Sequence, residues 1–457
     1  MPEPPQPSRR PVAIDLFCGA GGLSVGLELA GFDVVAASDY DPVHAATHEY
    51  NFPLTPMLCG DVSQITAEDL LAVAERGVEA HGTTDWDGRI DLIAGGPPCQ
   101  GFSFIGKRLV DDERNQLVFH FYRLISELRP RYFVMENVPG MASGGHTGVL
   151  EQLTENFEAI GYRFAPGHWS ILNAADFGVP QDRSRLFLIG ADQGLELATP
   201  PTPIARRIPR DGIGSPEPGA LPLGPTVWEA LADIPNLNRY PSLQKSDSVR
   251  LSRETFEEQE AVASGYALRL RGRTPEPDDL ASERDWNREL LTASARTTHT
   301  EESIRRFRQT KPGEVEPISR FYRLPPAGLC NTLRAGTGSE RGAFTSPRPI
   351  HPTHPRVLSN REAARLHSLP DWFRPHATKW HGFRQIGNAV APLVGKAAAG
   401  AVVKALGLTP ARPTATVELG DPALLTLTMK QATQHYGADV TQIPARRRRV
   451  RQAALAA

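Results

Sequence analysis

Short hydrophobic runs alternate with helical stretches through the first part of this chain, and this alternation constrains the fold most. The strand-like runs are Val12 to Phe17, Asp33 to Ser38, Ile90 to Ala94, Tyr132 to Glu136 and Leu186 to Ile189. The helical stretches are Gly22 to Ala30, Pro42 to Tyr50, Ala67 to Arg76, Asn115 to Leu128 and Gly148 to Ile160. Such alternation predicts an α/β fold with a doubly wound, mostly parallel sheet, whose ligands bind beyond the carboxyl ends of the strands.

The rest of the chain has weaker patterns. Residues 1–11 are polar and rich in proline, which predicts a disordered lead-in and not a signal peptide. Residues 198–225 are crowded with Pro, Gly and Arg, as an irregular segment would be, and clear periodicity is scarce up to about residue 343. A capping-box spacing from Ser359 to Glu362 opens a helix, residues 390–406 predict an Ala-rich apolar helix, and the pattern fades after residue 410.

The composition limits the class of protein. The chain has 457 residues, enough for two or three domains. Its 50 basic and 52 acidic side chains give a formal net charge of −2, so nucleic acid could bind only where basic groups cluster. The 4 cysteines have no Cys-x-x-Cys spacing, which suggests neither a zinc site nor a disulfide framework and fits a cytosolic protein. No apolar run predicts a membrane span.

A cysteine and a glutamate each follow a strand-like run. Cys99 lies in a Pro/Gly turn after Ile90 to Ala94, in the sequence Gly95-Gly96-Pro97-Pro98-Cys99-Gln100-Gly101-Phe102-Ser103. Glu136 follows Tyr132 to Met135. If the two strands are neighbours, the thiol and the carboxyl group meet. Such a pair suits attack on an electron-poor ring, because sulfur adds to carbon while the acid supplies a proton to a ring nitrogen.

These residues resemble the core of the cytosine-5 DNA methyltransferases. Further motifs of that family recur in family order at Asp15 to Leu23, Gln181 to Arg185, Arg361 to Leu366 and Arg384 to Val390. The resemblance implies a Rossmann-like fold that uses S-adenosylmethionine, with a catalytic and cofactor-binding domain at 12–195 completed by residues 351–407. It also implies a smaller, irregular target-recognition domain at 196–350, and leaves 408–457 as an extension with a basic tail.

The resemblance implies the chemistry of the site. Cys99 would attack C6 of a cytosine turned out of double-stranded DNA, and Glu136 would hydrogen-bond N3 and the exocyclic amine. Carbon C5 would then take the methyl group. Arg185 would hold the cytosine O2, Arg183 would support the cysteine region or a phosphate, and Asn137 would orient the Glu136 loop.

A glycine-rich turn predicts the cofactor site, although such a turn alone is weak evidence. Ser24 replaces the third glycine of the dinucleotide fingerprint, and with the cysteine motif S-adenosyl-L-methionine is the better ligand. The cofactor-binding residues that the resemblance implies are Phe17, Cys18, Gly19, Gly21, Gly22, Leu23, Asp39, Tyr40, Asp61, Val62, Pro97, Asn388, Ala389 and Val390.

Three of these residues have implied roles and plainer alternatives. Asp39 would accept hydrogen bonds from the ribose hydroxyls, Tyr40 would stack on adenine, and Asp61 would bind the adenine amine. Without the resemblance, the first two would form a surface turn and Asp61 a loop or helix cap. The family often has serine where this chain has Ala389, so a backbone contact is expected there.

The residues expected to contact DNA fall in two places. A loop after the cysteine would close over DNA, and a threonine-leucine element would lie near the flipped base; the residues are Gln100, Ser103, Arg114, Thr332 and Arg334. Two interpretations of the basic run Arg446 to Arg451 stay open: it would add salt-sensitive affinity for DNA, or it would be a solvated tail.

Other readings remain open from the sequence. A transfer-RNA cytosine-5 methyltransferase is the first alternative, but Gly101-Phe102-Ser103 resembles the DNA-acting group, whereas the RNA group typically carries Pro-Phe-Thr. A catalytically silent DNA-binding regulator and a nicotinamide oxidoreductase are weaker alternatives. The resemblance also implies a monomer in the cytoplasm that protects DNA from a cognate restriction endonuclease without a stable complex.

Overall fold

A seven-stranded sheet forms the centre of the protein. The computed structural model describes residues 8–98, 116–143, 147–213, 218–336 and 348–438. The strands in this sheet, and the short strand β7 beside it, are β1 Val12–Leu16, β2 Asp33–Asp39, β3 Met57–Cys59, β4 Leu92–Gly95, β5 Tyr132–Asn137, β6 Tyr162–Asn173, β7 Gln181–Asp182 and β8 Ser184–Asp192. The order across the sheet is β3-β2-β1-β4-β5-β8-β6.

The sheet is mostly parallel. Neighbouring strands among β1 to β5 pair in parallel, and β8 is antiparallel to both β5 and β6. The helices are α1 Gly22–Leu29, α2 Pro42–Asn51, α3 Ala67–His81, α4 Gln116–Leu128, α5 Thr147–Ala159, α6 Val227–Leu231, α7 Arg253–Val262, α8 Gly265–Leu270, α9 Glu301–Gln309, α10 Asn360–Leu366, α11 Lys379–Asn388, α12 Pro392–Ala405 and α13 Met429–Tyr436. The predicted doubly wound α/β fold is confirmed.

Two apolar layers bury the sheet, which is why its central strands are continuously hydrophobic. Phe121 of α4 and Phe157 of α5 pack against Phe133 on one face. Helices α1 and α12 cover the other face and cross closely, since a Cβ on Gly26 would lie 2.8 Å from Gly395 Cα. The C-terminal helix α12 is thereby part of the same core as the first strands.

The region between β8 and α10 contains short helices and two-residue strands. These strands are β9 Val249–Arg250, β10 Arg284–Asp285, β11 Leu290–Leu291 and β12 Cys330–Asn331. A last short strand, β13 Val417–Glu418, pairs in parallel with β10. Strand β12 pairs in parallel with β7, which joins this region to the segment directly before β8 of the central sheet. Its irregularity accords with the scarce periodicity of the sequence.

The predicted disordered lead-in is wrong from Ser8 onward. Both terminal nitrogens of Arg9 donate to the Asp91 carboxylate at 2.7 Å, and Arg10 Nε donates to Asp33 at 2.6 Å. Pro11 is buried. The arginines fix this segment across the amino ends of the strands, and their partners are too distant in sequence to be recognised by local pattern.

One helical stretch, Lys379–Ala405, is long and apolar enough by length and composition to cross a membrane. It consists of two helices, of 10 and 14 residues, each shorter than the roughly 20 residues that a membrane span requires. Of its most apolar window, 67% is buried inside the fold, and the stretch comprises α11 and α12 joined at residues 389–391. The packing of α12 on α1 accounts for its apolar composition.

Candidate active site

The carboxyl ends of β1, β4 and β5 lie side by side. Leu16 of β1 is in register with Gly95 of β4, and Gly95 is in register with Met135 of β5. The residues that follow these positions therefore face one edge of the sheet. The strand that leads to Cys99 is the neighbour of the strand that carries Glu136, which meets the condition that the sequence analysis set for the two groups to meet. Cys99 itself lies outside the described residues, as do the predicted DNA contacts Gln100, Ser103 and Arg114.

Glu136 forms an ion pair with Arg185. The distance between Arg185 Nε and Glu136 Oε1 is 2.9 Å, and the glutamate side chain is 13% exposed. Burial raises the pKa of Glu136 above its ordinary value, although the charges of Arg185 and Arg183 oppose the rise. This carboxyl group can therefore carry a proton closer to neutral pH than an exposed glutamate could.

Asn137 links the glutamate strand to the segment before the cysteine. Its Nδ2 donates to the Pro97 carbonyl at 3.2 Å, and its Oδ1 accepts from the Val138 N–H at 2.8 Å. Pro97 stands two residues before Cys99 in the chain. These contacts support the predicted orienting role of Asn137.

Arg183 is buried, with 2% of its surface exposed. Its guanidinium donates to three backbone carbonyls, those of Leu333 at 3.0 Å, Gly387 at 3.1 Å and Ala389 at 3.0 Å. Burial lowers the pKa of Arg183 to about 9, so the group remains a cation at neutral pH. The sequence predicts a role near the cysteine or a phosphate. That role stays a prediction, because Cys99 lies outside the described residues; the described contacts are carbonyls that arrive from distant parts of the chain.

Gln181 and His367 complete this network, and the sequence assigned neither a role. Gln181 Oε1 accepts from the Leu333 N–H at 3.1 Å, and its Nε2 lies 2.9 Å from His367 Nδ1. His367 Nε2 lies 2.9 Å from the Ala389 carbonyl, so Nε2 carries the proton and Nδ1 accepts. Burial and Arg183 hold the pKa of His367 well below its ordinary value, which keeps it neutral. Its position directly after the Arg361 to Leu366 motif was the available signal.

The first turn of the glycine-rich loop is held by Asp39. The Gly19 N–H donates to Asp39 Oδ2 at 2.8 Å, and the Asp41 N–H donates to Asp39 Oδ1 at 2.8 Å. Phe17 and Gly19 both have φ of 57°. Asp39 therefore shapes its own turn, as the plainer alternative has it, and also positions the loop that the sequence assigns to the cofactor.

The next two glycines approach protein atoms closely. A Cβ on Gly21 would lie 2.2 Å from the Phe52 ring, and one on Gly22 would lie 2.6 Å from the Val390 carbonyl oxygen. The Asn388–Val390 segment thus returns to the loop, as the resemblance implies. The close approach that glycine permits here is between two parts of the protein, and contact of these glycines with the cofactor stays a prediction.

A buried polar network lies under the loop. Ser24 Oγ donates to Asp15 Oδ2 at 2.6 Å and lies 2.9 Å from His48 Nε2. Burial raises the pKa of Asp15 to about 7 and lowers the pKa of His48 to about 3. Among the residues that the structure describes, no hydrogen bond reaches Asp15 Oδ1. Ser24, where the dinucleotide fingerprint has glycine, is thus a structural link.

Comparison with known proteins decides the family. The sequence model of the C-5 cytosine-specific DNA methylases matches residues 12–404. The chain belongs to this family. The methylase transfers a methyl group to C5 of cytosine in DNA, and the family and fold imply S-adenosylmethionine as the donor. The nicotinamide oxidoreductase reading is excluded.

The relatives of this methylase include bacterial modification enzymes. The chain is 48% identical to the Type II methyltransferase M.XorII of Xanthomonas oryzae pv. oryzae, over 96% of this chain and 96% of the relative. It is 32% identical to the Type II methyltransferase M.AgeI of Thalassovita gelatinovora, over 84% of this chain and 97% of the relative. A crystal structure of a DNA modification methyltransferase encoded within a prophage (E. coli) matches with a TM-score of 0.65 and 33% identity, covering 87% of this chain and 99% of that one.

The remaining predicted residues of the methylase differ in their surroundings. Thr332 Oγ donates to the Asp182 carbonyl at 2.7 Å, beside Arg183, and the exposed Arg334 follows. Asp61 Oδ1 accepts from the Ser63 N–H at 2.9 Å within a turn, as in the loop of the plainer alternative. The remaining predicted cofactor positions are the buried Cys18, Leu23 and Val62, the half-buried Phe17, Pro97 (which accepts the bond from Asn137) and the 42% exposed Tyr40.

Proposed function

We propose that this methylase modifies cytosine within a specific double-stranded DNA sequence through a transient bond between Cys99 Sγ and cytosine C6. The observation that supports the proposal most is the Glu136–Arg185 pair, 2.9 Å apart, at the carboxyl end of the strand next to the one that leads to Cys99. An acid and a cation at this point can bind the polar edge of a flipped base opposite a thiol.

The chain's own residues then have distinct tasks. The Cys99 thiolate adds to C6, and the electron pair of the C5–C6 bond moves to C5. Glu136 shares its proton with N3 and accepts a hydrogen bond from the exocyclic amine, which makes the addition easier. Arg185 offsets negative charge at O2. When bound, S-adenosylmethionine supplies the methyl group from its sulfonium. Loss of the C5 proton restores the C5–C6 double bond and expels Cys99.

The donor set near the glycine loop fits S-adenosylmethionine. Asp39 and Asp61 offer carboxylate oxygens, which suit ribose hydroxyls and an adenine amine. Asp15 adds a buried carboxyl oxygen that no described residue binds. Acidic surroundings suit a positively charged sulfonium. We assign the same pocket to Phe17, Cys18, Leu23, Tyr40, Val62, Pro97 and the Asn388–Val390 segment.

We also infer the biological setting from the relatives. Both relatives are named Type II methyltransferases, which supports protection of DNA from a cognate restriction endonuclease. Such an endonuclease would recognise the same site without forming a stable complex. We expect a cytoplasmic monomer that associates with DNA.

Expression in cells that lack cytosine methylation tests this function. Bisulfite sequencing of their DNA should show methylation at one short sequence, and cells that express Cys99→Ala should show none. That variant should still bind S-adenosylmethionine. Methylated RNA beside unmodified DNA would replace the proposal with the RNA alternative.

A further inference from the structure

The C-terminal segment Val417–Tyr436 lies beyond the family match, which ends at residue 404, yet it packs against the cofactor side of the catalytic domain. We propose that this segment, the C-terminal brace, positions the cofactor site by holding helices α2 and α11 in place. The inference rests on the cofactor pocket assigned above. It gives a function to residues that the sequence left without one.

Helix α2 sets the position of the predicted ribose ligand. Asp41 caps the helix by accepting from the Val43 N–H at 2.9 Å. The backbone N–H of the same Asp41 donates to Asp39 Oδ1 at 2.8 Å, and His44 Nδ1 of the first turn lies 3.6 Å from that oxygen. Because these contacts arise from the first turn, a shift of α2 would shift the Asp39 carboxylate.

The brace packs tightly on the outer face of α2. Leu424 and Leu425 form a separate apolar cluster with Ala46 and Tyr50 of the helix. The Gly420 N–H donates to the Tyr50 carbonyl at 2.8 Å, and a Cβ on Gly420 would lie only 3.0 Å from Tyr50 Cα. The backbone of the brace is therefore in direct contact with the backbone of α2.

A polar contact at the end of the brace adds to this packing. The Tyr436 hydroxyl donates to Glu49 Oε2 of α2 at 2.6 Å, and His435 Nε2 lies 3.3 Å from the same oxygen. Burial raises the pKa of Tyr436, as do Glu49 and, more weakly, the nearby thiols of Cys59 and Cys18. The phenol therefore holds the last turn of α2, the helix whose first turn positions Asp39.

The brace also contacts the segment that leads into α11. His376 Nε2 lies 3.2 Å from the Leu427 carbonyl, and the His376 N–H donates to Gln385 Oε1 at 2.7 Å. Gln385 in turn donates to Thr47 Oγ of α2 at 2.9 Å. Helix α11 ends at Asn388, the first residue of the segment that closes on the glycine loop. The brace thus joins both walls of the assigned pocket.

The experiment compares full-length Tyr436→Phe with the wild type. This variant removes one oxygen and keeps the ring, and Lys430→Ala, at an exposed position of α13, is the control. We expect the Kd for S-adenosylmethionine, measured by calorimetry, to rise about threefold to tenfold in Tyr436→Phe, the range seen for residues that act through others. The cofactor Kd of the control should stay within about twofold of wild type. The Kd for DNA and the kcat at saturating cofactor of Tyr436→Phe should also stay within about twofold of wild type.

A role in stability alone predicts a different result. The melting temperature of Tyr436→Phe would then fall while the cofactor Kd stayed at the wild-type value, and that outcome would overturn the proposal. Leu425→Ala should raise the Kd further if it folds; if it does not, Tyr436→Phe decides alone. Failure of the wild type itself to bind S-adenosylmethionine would refute the assigned pocket instead, so the two failures are distinguishable.

Discussion

Replacement of Arg183 by methionine should lower the methylation activity strongly and change the free energy of unfolding little. The change removes hydrogen bonds to the carbonyls of Leu333, Gly387 and Ala389. Ala389 retains its bond from His367, so Leu333 and Gly387 lose their partner, at about 1–3 kcal/mol each. On the other hand, the variant no longer has to bury a cation. Burial lowers the pKa of Arg183 to about 9, and each pKa unit corresponds to about 1.4 kcal/mol.

The opposing costs nearly cancel, so the free energy of unfolding in urea should change by no more than about 2 kcal/mol. Activity should fall much further, because displacement of the catalytic segments by about 1 Å costs on the order of a hundredfold in kcat/KM. Arg89→Met is the control, since Arg89 also donates to backbone carbonyls, those of Arg129 and Pro130, but at the amino ends of the strands, where it also pairs with Asp192. Activity of Arg183→Met within threefold of this control would refute the reasoning.

Further substitutions test other parts of the account. Glu136→Gln cannot transfer a proton, so kcat should fall about 10²- to 10⁴-fold while calorimetry shows unchanged cofactor affinity; near-wild-type turnover would argue against proton sharing. Gly22→Ala would place a methyl group 2.6 Å from the Val390 carbonyl, and its melting temperature and cofactor affinity should both drop. Although burial alone would raise it, Arg356 lowers the pKa of Glu362 to about 2 from 4.5. The stability from this ion pair is therefore present above about pH 4.5 and lost as pH falls toward 2, and urea midpoints of Glu362→Gln should converge on those of wild type over that window.

The central strands were predictable because their burial on both faces makes them continuous apolar runs. Strand β3 was not predicted, since three residues are too few to show a pattern. Strand β6 was missed because its register with β8 shifts between Phe164 and Trp169. Gly167 and His168 at this shift have φ of 90° and 57°, values typical of a turn. The strand is therefore interrupted, and its sequence lacks a continuous strand pattern.

The parts of the site that lie in recognisable motifs could be predicted from the sequence. Glu136 and Arg185 lie in motifs of recognisable order, and the structure brings them together. The buried role of Arg183 could not be predicted, because an arginine on a strand is ordinarily exposed and its carbonyl partners lie 150 to 206 residues away. Likewise, the helix of the brace has only eight residues, too few to show a clear pattern, and the leucines that pack on α2 precede it.

Trapping of the covalent intermediate tests the central claim most directly. A duplex with 5-fluorocytosine at the target, incubated with S-adenosylmethionine, should form a stable protein–DNA adduct, because fluorine cannot leave C5 as a proton does. Peptide mapping should locate the bond at Cys99, and Cys99→Ala should form no adduct. The absence of an adduct in the wild type, or a bond at any other residue, would contradict the account.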